Sequence, residues 1–456
     1  MWKNGDIMFY RNIYNEILKW KHESNGRTAL LVEGARRVGK STVVKKFAEN
    51  EYKSFILIDF GDSKKSYNKS VKKVFSESES LDEFFNLLQL VTGIKLYPRE
   101  SLIIFDEVQK NPSAREMIKY LVADGRYDFI ETGSLISIKK NSSKIVIPSE
   151  EEKIQMYPMT FDEFMVALGE EEMLKVIEEC FDKQNPLHDV LHKKAMSLFR
   201  TYMAVGGMPQ AVSAYIETKD FEKVDKIKKD IINLYREDLE KISRVGSSVT
   251  PLIIYDNIQS MFSNHTFEIT ASSFSKNTKL YTCLNNVNEL AKSKIINVAF
   301  EVKNIDPTLS LGFDMSNLKV YSGDTGLLIS KMFMTTPYLN NPLYKSIILD
   351  KLSIDEGFLY ENIVAQMLAA KGYSLKYNTF YKEGSTNLYS IDFILTNGKK
   401  IFPIEVKSSN YKSHTGIDEF SKKYHQYIDK KYIIYSKNYL KDDNYIYLPV
   451  YMTYLL

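Results

Sequence analysis

Two groups of residues have types and spacings that chemistry uses. The first begins at Gly34-Ala35-Arg36-Arg37-Val38-Gly39-Lys40-Ser41-Thr42, which fits glycine, four residues, Gly-Lys and then serine or threonine. Backbone N–H groups of such a loop, opening a helix, make a nest for phosphate; Lys40 supplies counter-charge and the Ser41 hydroxyl a magnesium ligand. Asp106 and Glu107 follow an apolar run. The first suits a magnesium shell and the second can polarise an attacking water. Thr132 and Ser134 close another apolar run, where a polar side chain can sense a γ-phosphate. The second group is Glu361, Asp392, Glu405 and Lys407, with 13 residues from Asp392 to Glu405. Asp392 and Glu405 would hold Mg²⁺ or Mn²⁺ against a phosphodiester, Lys407 would stabilise charge on the attacking water or the phosphorane, and Glu361 would reach in from a helix. The plain alternatives are a chance loop match for the first group and a structural ion-pair cluster for the second.

The elements around the first group are those it needs. Residues 29–33 read as a buried strand, and residues 41–48 can continue as a helix. Residues 55–60 read as a second buried strand, residues 61–80 as a Ser- and Lys-rich loop, and residues 81–88 as a helix. Residues 101–105 run as a strand into Asp106-Glu107. Asn111-Pro112 then caps a helix that ends near Asp124-Gly125, before a strand at residues 127–130. Strands alternating with helices predict an α/β fold with a parallel sheet, whose ligands sit at the carboxyl ends of the strands. Lys40, Asp106, Thr132 and Ser134 all fall at such ends.

Around the second group, Asn397-Gly398 predicts a hairpin turn. Strand alternation puts Glu405 and Lys407 on one face and Ile404 and Val406 on the other. Asp392, on the partner strand, comes beside Glu405. Two carboxylates and a lysine in an apolar sheet are costly unless a divalent cation or an ion pair compensates.

The bulk numbers bound the possibilities. A chain of 456 residues predicts about three domains. With 44% hydrophobic and 26% charged residues it has a globular composition. Lys+Arg 61 against Asp+Glu 58 gives no global basic field, so any nucleic-acid contact is local. Cys180 and Cys283 lie far apart without metal-type spacing and read as reduced, buried thiols. The first residues lack a signal peptide's apolar core, and no run of 18 apolar residues is present. The expectation is a cytoplasmic protein with no membrane partner.

Taken together, the pieces resemble a prokaryotic AAA+-type ATPase family whose C-terminal part is related to PD-(D/E)xK nucleases and was long carried as a domain of unknown function. The residues that carry the resemblance are the loop at Gly34–Ser41, the run Leu102-Ile103-Ile104-Phe105-Asp106-Glu107-Val108-Gln109, Glu131-Thr132-Gly133-Ser134, Tyr157-Pro158-Met159-Thr160-Phe161-Asp162-Glu163-Phe164 and Val205-Gly206-Gly207-Met208-Pro209. Lys319-Val320-Tyr321-Ser322-Gly323-Asp324-Thr325-Gly326 is similar too. The resemblance implies ATP and Mg²⁺ as cofactors, Lys40, Ser41, Asp106 and Glu107 in the roles above, Thr132 or Ser134 as sensor, and assembly into a homo-oligomer or ring. Ile147-Pro148-Ser149-Glu150 departs from it, where a glycine is expected in the turn.

The resemblance also bears on the middle of the chain. Two glycines and a proline at 206–209 make a helix–helix turn; the resemblance adds a lid turn in which Pro209 packs against adenine, and both readings stand. Arg200 and Arg236 are candidates for γ-phosphate contacts. A helix from Thr250-Pro251, a second carrying Leu280, Tyr281, Leu284, Val287 and Leu290, and a strand at residues 295–302 follow winged-helix order. Lys279, Asn285, Asn286 and Lys292 would be exposed on the second helix, a thin footprint for DNA against a packing role. The expected partition is a P-loop ATPase core at 1–160, a helical lid at 161–245, a winged-helix-like domain at 246–345 and a restriction-endonuclease-like α/β domain at 346–456. The expected function is an ATP-hydrolysing protein acting on DNA with a metal-dependent nuclease-type domain. The alternative is an ATP-driven switch whose C-terminal domain binds DNA or a protein partner without cleavage.

Overall fold

A computed structural model describes residues 9–61, 66–134, 150–243, 249–263, 268–269, 280–306, 313–349, 357–382, 384, 386–408 and 412–456. Positions 147–149, where the resemblance leads one to expect a turn glycine, the polar segment at 277–278 and Lys279 lie outside the described residues. The chain divides into two units, Met1–Tyr157 and Pro158–Leu456.

The first unit is a five-stranded parallel sheet in the order β2-β3-β4-β1-β5. Its strands are β1 (Ala29–Gly34), β2 (Ser54–Asp59), β3 (Ser101–Asp106), β4 (Asp128–Gly133) and β5 (Glu151–Met156). β1, β3 and β4 are buried along their whole length, as continuous apolar runs covered on both faces require. Among the described residues, the helices that connect or flank them are α1 (Ile13–Ser24), α2 (Lys40–Glu51), α3 (Ser66–Glu77), α4 (Leu81–Thr92) and α5 (Pro112–Asp124). Asn111 caps α5, accepting from Ala114 N at 3.4 Å, with Pro112 at the first turn. Two expectations change. Residues 66–77, read as loop, form α3, because Val71 and Val74 supply an apolar face that packs on the sheet core. β5 is a strand that the sequence conceals, since its pattern is mostly polar.

The second unit opens with helices α6 (Phe161–Ala167), α7 (Glu171–Asp182), α8 (Asp189–Val205), α9 (Pro209–Thr218) and α10 (Phe221–Ile242). Thr160 and Glu163 close a reciprocal capping box at the start of α6. Then come α11 (Pro251–Ser263), β6 (Glu268–Ile269), α12 (Leu280–Lys292), β7 (Ile296–Val302), β8 (Phe313–Ser322), α13 (Thr325–Met332), α14 (Pro342–Ile348) and α15 (Gly357–Ala370). The last part holds β9 (Lys376–Tyr381), β10 (Leu388–Ile391), β11 (Phe393–Asn397), β12 (Lys400–Lys407), α16 (Thr415–Tyr424), β13 (Tyr432–Tyr435), β14 (Leu440–Lys441) and β15 (Ile446–Pro449).

Helix, helix and hairpin follow one another in the expected order. The β7–β8 hairpin is nevertheless no free wing: β7 also pairs in parallel with β9, within a sheet ordered β10-β9-β7-β8-β6. A second five-stranded sheet runs β11-β12-β13-β15-β14. The Asn397-Gly398 turn joins β11 to β12, with Gly398 at φ 59°. α12 also differs from the expectation. Tyr281 is 75% exposed while Cys283 takes the buried place, and Asn286 is half-buried, donating to Val249 O at 2.9 Å. Asn285 and Lys292 are exposed as expected. Cys180 and Cys283 are both free; Cys283 is buried and Cys180 only partly so.

Candidate nucleotide site and C-terminal ion-pair cluster

The phosphate-loop residues run from the end of β1 into the first turn of α2. Gly39 adopts φ 101°, which only glycine takes without strain, and caps α2; Arg37 also sits at positive φ, 68°. A Cβ on Gly34 would strike the carbonyl of Met156 on β5. Ala35, Val38 and Lys40 are buried, Arg36, Gly39 and Ser41 are half-buried, and Arg37 and Thr42 are exposed. Arg11, which the sequence gives no reason to single out, donates from Nη1 to Val38 O at 2.6 Å and from Nη2 to Tyr157 O at 2.7 Å. It ties the loop to the chain beyond β5.

Because β4 lies between β1 and β3, its end comes beside both the loop and the acidic pair. Ser41 Oγ donates to Asp106 Oδ1 at 2.7 Å, and Thr132 Oγ1 donates to the same oxygen. Glu107 N donates to Thr132 Oγ1 at 3.3 Å. Gln109 Nε2 donates to Glu107 Oε2 at 2.6 Å and to Ser134 Oγ at 3.3 Å. Lys40 Nζ lies on the carbonyls of Gly34 and Ala35, at 3.1 and 2.8 Å. Burial pushes Lys40 down to about 8, against the pull of the Glu107 and Asp106 carboxylates. A hydroxyl and a carboxylate oxygen side by side are the hard donors that Mg²⁺ takes, and a buried ammonium fits a phosphate, so these residues fit Mg²⁺ and a nucleotide phosphate. Glu131 serves the core instead: fully buried near Glu151, it is pushed well above the usual carboxylate range by desolvation.

Sequence comparison assigns this region. Residues 26–165 match the family model described as "AAA domain". These residues are an AAA-type P-loop ATPase domain. Residues 196–337 match a domain of unknown function (DUF8612), and residues 356–452 match another (DUF4143). No curated protein matches the sequence. Among solved structures, the Walker-type ATPase of Pyrococcus abyssi aligns at 15% identity and TM-score 0.45, covering 71% of this chain and 96% of its own. Cdc6p of Pyrobaculum aerophilum aligns at 14% identity and TM-score 0.26, covering 75% and 95%. The Aeropyrum pernix ORC1 protein in complex with DNA aligns at 10% and 0.23, covering 73% and 94%. Scores this low carry no argument about fold or partner. The AAA domain rests on the family match and on the site geometry.

Outside the AAA domain, the turn at 205–209 is occupied. Gly207 N donates to Asp324 Oδ2 at 2.6 Å, and Met159 N donates to Gly207 O at 2.7 Å. Tyr202 Oη reaches Met159 O at 2.8 Å, and Gln366 Nε2 reaches Tyr202 Oη at 3.1 Å. Gln366 Oε1 in turn accepts from Thr325 N and Oγ1. Three of the motif segments named above thus meet in one hydrogen-bonded knot on α15, which accounts for the glycines by packing. Pro209, half-buried, opens α9. Arg236 is paired with Asp256 at 3.1 Å, and Arg200 is half-buried on α8.

The C-terminal carboxylates also converge. The chain leaves one sheet at Ile391 and enters the other at Phe393, so Asp392 stands at the junction; its Oδ2 accepts from Val406 N at 2.8 Å. Lys407 Nζ lies 2.6 Å from Glu405 Oε1. Glu361, on α15, accepts from Tyr321 Oη at 2.7 Å and pairs with Lys319 Nζ at 3.2 Å; the same ammonium is 3.9 Å from Asp392 Oδ1. Burial raises both Glu361 and Glu405, while the Lys319 and Lys407 charges respectively oppose the rise. Lys319 and Tyr321 come from β8, well upstream, and only the resemblance pointed at their segment. Among the described residues, no group of three or more His, Cys, Asp or Glu is placed to hold a metal ion. Ammoniums stand beside the carboxylates expected to hold Mg²⁺ or Mn²⁺: Lys407 beside Glu405, and Lys319 beside Glu361 and Asp392. No helix among the described residues is long and apolar enough to cross a membrane.

Proposed function

We propose that this protein hydrolyses ATP at the 34–42 loop and works as a nucleotide-driven switch, its C-terminal domain engaging DNA or a protein partner without cutting it. The observation that carries the reading is the bonded set of Ser41, in the first turn of α2, with Asp106 and Thr132 at the ends of β3 and β4. Ser41 and Asp106 would hold Mg²⁺, which neutralises phosphate charge when bound. Lys40 and the loop's backbone would bind the phosphates, Glu107 would take the proton of the attacking water, and Thr132 and Ser134 would orient the γ-phosphate. Assembly of copies of this chain into a ring is the expected arrangement; a monomeric mass with ATP bound would count against it.

The nuclease-type reading rests on Asp392, Glu405 and Lys407 lying near one another. The non-cleaving reading is favoured by Lys319, whose ammonium contacts both Glu361 and Asp392. Lys40→Ala should abolish nucleotide binding or turnover; unchanged turnover would sink the site. Purified protein given linear, nicked or branched DNA with Mg²⁺ or Mn²⁺ should leave it intact. Cleavage lost in Lys407→Ala would restore the nuclease.

A further inference from the structure

We infer that Gln109 is a positioning residue for Glu107 and carries the state of Ser134 to it; this rests on the ATP-hydrolysis reading above. Gln109 is 3% exposed, on the short turn Val108–Lys110 that follows β3. Its amide nitrogen offers two protons. One goes to Glu107 Oε2 at 2.6 Å and the other to Ser134 Oγ at 3.3 Å. Glu107 itself sits at φ 55°, a left-handed backbone that a glutamate adopts only when its surroundings hold it there. Its backbone is held by Thr132 of β4, and its carboxylate is tied through Gln109 to Ser134, the residue just after β4.

Ser134 Oγ accepts from Gln109, and a hydroxyl that accepts can still donate its own O–H to a phosphate oxygen. A γ-phosphate that draws Ser134 toward itself therefore pulls on the amide that orients Glu107. One side chain then links the sensing of the phosphate to the aim of the base. The sequence alone hides this link, because a glutamine two places after a carboxylate reads as ordinary turn polarity.

The test uses the full chain. Gln109→Met keeps the volume of the side chain and removes the donors. Its turnover number should fall roughly tenfold or more, within the span that a positioned base contributes. Affinity for a fluorescent ATP analogue and the melting temperature without nucleotide should stay at wild-type values. Ser134→Ala, which leaves Gln109 in place, should lower turnover similarly, and the double variant should be no slower than the slower single one, as for two parts of one path. Unchanged turnover in Gln109→Met, faster turnover, or a loss of affinity or melting temperature in step with turnover overturns the inference. So does multiplicative loss in the double variant. Normal wild-type hydrolysis with an unaffected Gln109→Met sinks this inference alone; no hydrolysis by the wild type sinks both.

Discussion

Gly207 N donates to Asp324 Oδ2 at 2.6 Å while Asp324 Oδ1 accepts from Leu327 N at 2.7 Å. One buried carboxylate thereby caps α13 and anchors the turn between α8 and α9. Gly206, at φ 82°, brings its Cα against Gly326, and a Cβ there would meet Asp324 Oδ1. The turn thus requires glycine both for its backbone and for the approach. Asp324→Ala should cost about 3 kcal/mol, since two charge-assisted bonds go and two buried N–H groups lose their acceptor. Asp324→Asn, which can still cap, should cost less. Urea unfolding of the full chain measures both; equal midpoints for wild type and Asp324→Ala would refute the anchor.

That knot shows where the sequence was legible and where it was not. The loop at 34–42, the strand ending in Asp106-Glu107 and the Asn397-Gly398 hairpin declare themselves, because local backbone geometry demands those residue types. β5 does not: an edge strand with Glu151, Glu152 and Lys153 buries too little to show a pattern. α3 is hidden because its serines and lysines outnumber Val71 and Val74. Lys319 escapes for another reason. It reaches Glu361 and Asp392 from a strand far upstream, and spacing along the chain says nothing about such a meeting.

Arg11 spans from Val38 O to Tyr157 O with two nitrogens of one guanidinium. A planar fork holds two carbonyls at fixed separation, which an ammonium on a flexible stem does not. Arg11→Lys and Arg11→Ala should therefore both weaken ATP binding, by roughly tenfold for a loop that loses preorganisation. Binding of a fluorescent ATP analogue reads this directly. Affinity equal to the wild type in both variants would mean that the loop keeps its form without the clamp.

Lys331 is buried on α13, donating to Tyr255 O and lying 3.4 Å from the centre of the Tyr255 ring. Burial lowers it to about 7, with Asp256 opposing and Arg236 adding to the shift. Between pH about 7 and the ordinary lysine value of 10.5 the unfolded chain holds a proton on Lys331 that the folded chain has released. The unfolded state then binds more protons, so this group makes stability rise with pH across that window. Lys331→Met should remove that part of the rise. Melting temperatures of wild type and variant from pH 7 to 10 test it; parallel curves would assign the slope to other groups.

Lys319 replaces by a fixed ammonium the cation that Glu361 and Asp392 otherwise demand. Removing it leaves two carboxylates crowded in a site where burial already raises Glu361. Lys319→Met should cost on the order of 3–5 kcal/mol, as when one partner of a buried pair is deleted. The vacated place would be lined by hard oxygen donors, which suits a divalent ion. Mn²⁺ without nucleotide should then raise the melting temperature of Lys319→Met and leave the wild type unmoved. An equal rise in both proteins would show that the wild-type carboxylates already take the metal, and the nuclease reading would regain its ground.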